Sequence, residues 1–298
     1  MSRHDGPASR KCTAGIHGRE APVLSEFERD TAVRRHDGEP AVATDGGFRA
    51  VRFHAPVRAG WEIGEVSNGG YLLALAARAM SEVAERPPLT VTGHYLSPVP
   101  PGPAAVDVET LRSGRRLATL RATLHRDGRP LLALLGTFGR APESDTTRID
   151  GAPPELGPYE VSRPIAAPAE PPFPTINDRL ASRLRRGDDG FRFGTPTGRA
   201  EVAGWFAFAD EGPIDELALL LAADAFPPPV FNSGLPMAWV PTIELTVHVR
   251  GVPVPGPLRA VFRSRFISDG LLDEDGELWD TSGRLVAQSR QLSLIPRL

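Results

Sequence analysis

Apolar residues fall on nearly every face of the segment YLLALAARAMSEVA (71–84). A helix that is apolar all round is a buried one. Asn68-Gly69-Gly70 stands before it, and Pro87 and Pro88 close it. Strands are predicted around this helix at 48–53, 89–96, 104–113, 117–125 and 130–138. The last two are joined by Asp127-Gly128, a strong hairpin signal. A second set of elements follows: a strand at 198–210, a helix at 214–225 opened by Gly212-Pro213, and strands at 242–249, 258–266, 276–280 and 285–295. Pro227–Pro229 breaks the second helix. Each set therefore reads β-α-β-β-β-β.

The two sets also share wording. HYLSPVPPGP (94–103) has a counterpart in HVRGVPVPGP (248–257), each a His followed by a Gly-Pro eight residues on. DGRPLLA (127–133) answers to SGRLVA (282–287). Matched tracts in step imply two copies of one folding unit. A buried helix wrapped by a curved antiparallel sheet is a hotdog, so the expected fold is an α+β double hotdog. Its two repeats join into one continuous antiparallel sheet with two central helices, because a lone sheet edge is a liability. The expected organisation is a disordered tail (1–22), an N-terminal hotdog domain (23–140), a Pro-rich linker (141–195) and a C-terminal hotdog domain (196–298).

Composition narrows the partners. The chain has 298 residues and a formal net charge of −3, which gives no electrostatic reason to expect nucleic acid or an anionic membrane. Its single cysteine, Cys12, excludes an internal disulfide and any cysteine-cluster metal site. No apolar run approaches the ~18–20 residues that span a bilayer. The polar N-terminal stretch lacks the apolar core of a signal peptide, so a cytoplasmic location is expected. No GxSxG elbow, HExxH, Walker loop or GxGxxG is present.

NGGYLLALAARAM followed by GRRLATLRATLHRDGR resembles the N-terminal half of acyl-CoA thioesterase II–like proteins. DAFPPPVF, PTIELTVHVRG and GRLVAQSRQLSLI resemble their C-terminal half. The likeness runs from about residue 45 to 297, apart from the linker. It implies an acyl-CoA thioesterase with acyl-CoA as its partner, free to form a homo-oligomer and needing neither metal nor other cofactor. It further implies a catalytic water held by Asp224, Thr242 and Gln291. On their residues alone, the same three also read as a solvated last-turn Asp, a strand-forming Thr and an edge-strand Gln.

The repeat singles out Gln291 without help from the likeness, because sliding Gly128 onto Gly283 sets Gln291 opposite Gly136. Asp224 also breaks a local rule, since a carboxylate at a helix C-terminus is disfavoured by the dipole. Asn68, Gly69, Gly70 and Tyr71 are expected to bind substrate. The free N–H of Gly69 or Gly70 at the helix start is read as an oxyanion donor, and otherwise as a tight turn before a packed helix. The second half has no matching Gly pair, so one composite site per chain is predicted. Leu72, Leu75 and Trp239 are expected along the acyl pocket. Arg112, Arg115 and Arg116 are candidates for CoA phosphates or a solvated hairpin, and the matched His94 and His248 read as structural. Two other readings stay open: a non-catalytic acyl-CoA or lipid-binding hotdog, and a thioesterase acting on acyl-carrier protein.

Overall fold

A computed structural model describes residues 24–36, 42–43, 49–141, 144, 146–165 and 175–296. The predicted tail, with Cys12, lies outside the described residues. The long apolar segment forms helix α1 (Gly69–Ala84), with Tyr71 to Ala77, Ala79 and Met80 all buried. Asn68 caps its start by accepting the Tyr71 N–H at 2.9 Å, and Glu85 ends it in the left-handed region. Burying each large apolar side chain here is worth roughly 1.5–3 kcal/mol.

Ten principal strands surround the helices. In chain order they are β1 (Arg49–His54), β2 (Pro88–Tyr95), β3 (Ala105–Ser113), β4 (Leu117–Arg126), β5 (Arg129–Gly139), β6 (Glu201–Phe206), β7 (Thr242–Val249), β8 (Leu258–Arg263), β9 (Leu271–Trp279) and β10 (Leu285–Leu294). They pair antiparallel in the order β1-β3-β4-β5-β2-β7-β10-β9-β8-β6. The second half of that order repeats the first from the centre outward, which is the double hotdog that the repeats imply.

The halves meet where β2 pairs with β7. Thr92 stands opposite Thr246, with their hydroxyl oxygens 2.8 Å apart, and Thr90 opposite His248 mirrors His94 opposite Glu244. A pseudo-two-fold axis therefore passes between Thr92 and Thr246, relating residues 154 positions apart. That is the spacing that matches His94 to His248. Both histidines are exposed.

Two expectations change. The second helix, α2, spans only Ala218–Ala222 instead of 214–225. Ahead of it, the Asp215 side chain accepts the Ala218 N–H at 2.7 Å. The stretch read as linker is also more than connection. Arg163–Pro164 and Arg183–Leu184 lengthen the sheet beyond β6, and 3₁₀ turns form at Thr175–Asp178 and Gly190–Phe193. Two-residue strands are too short to leave a periodic signal. Among the described residues, no helix is long and apolar enough to cross a membrane.

Candidate active site

The helices abut end to end, with the C-terminus of α2 against the N-terminus of α1. Asp224, just past the end of α2, turns its carboxylate across this junction. Oδ2 accepts the Gly70 N–H at 2.8 Å and the Asn68 Nδ2–H at 3.0 Å, and Asn68 Nδ2 also donates to the Asp224 carbonyl at 2.7 Å. The carboxylate thus avoids the unfavourable dipole of its own helix and occupies the favourable one of its neighbour. Enclosure outweighs these donors: desolvation pushes Asp224 up to about 6, against the opposing pull of Gly70 N–H, the Asn68 amide and Gly69 N–H.

Thr242 opens β7 and Gln291 lies near the end of β10. Gln291 is 7% exposed, and its Nε2 donates to Thr242 Oγ1 at 2.9 Å and to Ser293 Oγ at 3.0 Å. Among the described residues, its Oε1 is buried without a hydrogen-bond partner. Because Thr242 accepts from Gln291, its own hydroxyl proton remains available to another acceptor.

Asp224, Thr242 and Gln291, from three separated segments, line one cavity of about 320 Å³. Asn68 and Gly69 share its wall with Tyr95, and Ile63, Leu72, Phe226 and Trp239 give it apolar sides. Tyr95 donates its hydroxyl to the Gly69 carbonyl at 2.8 Å; burial first, then the Asp224 and Glu244 charges, hold its phenol protonated well above the usual range.

Other expected residues fall elsewhere. Gly70 has its N–H committed to Asp224, so that donor is not free for a substrate oxygen. Tyr71 is turned away from the cavity into the core. It stacks on Trp61 at 5.2 Å, donates to the Asp30 carbonyl at 2.9 Å and accepts the Arg58 N–H at 3.0 Å. One helical step past Gly70 points a side chain to another face, and an aromatic ring is held where it can bury. Leu75 is fully buried in the core and does not line the cavity. Arg112, Arg115 and Arg116 sit at the β3–β4 turn, level with the Pro87 end of β2. The cavity lies at the Tyr95 end, about 20 Å away at roughly 3.3 Å per strand residue.

Sequence reading missed Tyr95, Ser293 and Glu274. Glu274 stands directly across from Gln291 in the β9–β10 ladder and is 9% exposed. Burial first, then the Asp224 charge, raise its carboxyl well above the ordinary range. An ionised Asp224 thus favours the protonated form of Glu274.

The fold and site define a hotdog protein with one polar constellation in an apolar pocket. The acyl-CoA thioesterase N-terminal domain family matches residues 57–139, and the acyl-CoA thioesterase C-terminal domain family matches residues 158–295. The chain belongs to this TesB-like acyl-CoA thioesterase family. It is similar to a proposed thioesterase II of Thermobifida fusca, with 29% identity, a TM-score of 0.79, and coverage of 92% of this chain and 98% of the other. A hot dog fold protein of unknown function from Alicyclobacillus acidocaldarius shares 25% identity at a TM-score of 0.80, covering 93% and 100%. An uncharacterized Mycobacterium tuberculosis protein is 28% identical over 295 residues, covering 91% of this chain and 98% of its own.

Proposed function

We propose that the protein hydrolyses acyl-CoA thioesters to free acid and CoA in the cytoplasm, using a water activated by Asp224 and held by Thr242 and Gln291. The observation that carries this reading is the convergence of those three side chains on one apolar-walled cavity. A carboxyl at about 6 is ionised at neutral pH, yet more basic than a free Asp, which suits a general base. Asp224 takes a proton from the water as its oxygen bonds to the thioester carbon. The Thr242 hydroxyl donates to the water or to the carbonyl oxygen. The C–S bond then breaks, and the proton held on Asp224 passes to the leaving thiolate. The acyl chain lies along Leu72, Phe226 and Trp239.

The test is release of free thiol from a panel of acyl-CoAs, read with a chromogenic thiol reagent. Wild type turns over at least one of them. Asp224→Asn and Gln291→Ala each lower kcat by about 10²-fold or more, a typical general-base contribution. Full activity in both variants refutes the assignment.

A further inference from the structure

The pseudo-two-fold axis lets the two halves be compared position by position. Thr242 pairs with Ser293 as Pro88 pairs with Phe138, and Gln291 pairs with Leu245 as Gly136 pairs with Val91. Glu274 faces Gln291 as Leu120 faces Gly136. Four inward positions therefore read Pro88, Leu120, Gly136 and Phe138 in the first half and Thr242, Glu274, Gln291 and Ser293 in the second. Of the four polar replacements, Ser293 and Glu274 have no part in the hydrolysis proposed above, and Ser293 already accepts from Gln291 Nε2.

Its surroundings set it apart from the other acids of β9. Asp273 and Asp275 lie on the opposite face of the strand, Asp273 as buried as Glu274, and pair with Arg290 and Arg265, each at 2.8 Å, while Glu277 meets Arg263 at 3.5 Å. Glu274 faces inward, more than nine-tenths buried, and forms no ion pair among the described residues. The charges that act on it are all acids: Asp224 from the end of α2, and Asp273 and Asp275 on its own strand. From β2 and β7, Tyr95 and Glu244 add a protonated phenol and a further acid that acts on that phenol, as Asp224 does. Arg290 of β10 points outward to Asp273 and Asp275. Across the ladder, Gln291 Oε1 is a buried acceptor without a donor among the described residues. A buried acceptor left unpaired is costly, and an ionised carboxylate, which only accepts, could not relieve it.

We propose that Glu274 is a positioning residue, a neutral carboxylic acid whose O–H donates to Gln291 Oε1 and thereby fixes which way round that amide stands. The amide nitrogen is then turned to Thr242 and Ser293, and the Thr242 proton to the cavity. Ionised Glu274 would attract the amide N–H₂ instead and undo this order, so turnover acquires an alkaline limb. The inference rests on the thioesterase reading for its kinetic consequence, but not for its proton.

The experiment compares Glu274→Gln with Glu274→Leu, the residue of the first half. Leu lowers kcat about tenfold, the order of one hydrogen bond, with little change in KM. Gln, which donates at every pH, restores most of that loss and abolishes the alkaline limb. Difference infrared spectra of substrate-free protein at neutral pH show a protonated carboxyl stretch in wild type that Glu274→Gln removes. Unaltered kcat and pH profile in Glu274→Leu overturn the proposal, as does the absence of that band. Should Glu274→Leu not fold, the profile and spectrum of Glu274→Gln decide. If wild type hydrolyses no thioester, the functional reading falls while the infrared band still tests Glu274.

Discussion

Asp224 ties chemistry to stability with opposite signs. Its carboxyl sits at about 6 in the fold, above the roughly 3.9 of a free Asp. The base must be ionised, so kcat/KM should climb through pH 6 and fall off below it. Folding runs the other way. Because the folded value is raised, the contribution of Asp224 to stability is fully present below pH 4 and is lost as pH rises through 6, by a total of about 3 kcal/mol. Asp224→Asn should therefore melt higher than wild type at pH 7, with the gap closing near pH 4, while kcat falls by about 10²-fold or more. Thermal melts at both pH values check this. Tyr71 separates the two roles in the opposite sense. Tyr71→Phe strands the Asp30 carbonyl and the Arg58 N–H, so it should cost about 1–3 kcal/mol and leave kcat unchanged. A changed kcat would return Tyr71 to the site.

The critical pair of elements is the end-to-end junction of α1 and α2. Gly70 makes it possible: a Cβ there would lie 2.8 Å from the Leu220 carbonyl oxygen, and 2.9 Å from both the Leu221 carbonyl oxygen and Asp224 Cβ. Two of those atoms are backbone and cannot swing aside. Gly70→Ala should part the helices, costing about 1–3 kcal/mol as overpacking does, and lower kcat by moving Asp224. Denaturant midpoints and thiol release measure the two effects. The sequence announced α1 through its uniform apolarity, and the Gly pair through the absence of a match in the second half. It did not show that the Gly pair receives a protein carboxylate, because Gly70 and Asp224 lie 154 residues apart and only the packed fold brings them together. The second helix was over-read because LALLLAADAF is apolar well beyond the five residues that wind. Glu274 was hidden among the acids of LLDEDGELW, where only strand alternation tells inward from outward.

For the whole molecule, the repeat in the sequence already carried the topology, down to the offset that the Thr92–Thr246 contact displays. It also carried the asymmetry at Gln291. Any Cβ on Gly136 would meet Phe138 at 2.8 Å and Met80 at 3.3 Å, so the corresponding chamber of the first half is filled. A non-hydrolysable acyl-CoA analogue should then titrate, by calorimetry, to one equivalent per chain. Two equivalents would show that the first half retains a pocket.

The continuous seam between β2 and β7 has a consequence for how such a protein can change. Were the halves separate identical subunits, every substitution would arrive in duplicate, and hollowing one chamber would hollow its twin. Joined in a single polypeptide, the halves mutate independently. One can be packed solid as ballast for the shared sheet, while the other accumulates the destabilising acids and amides that reactivity requires.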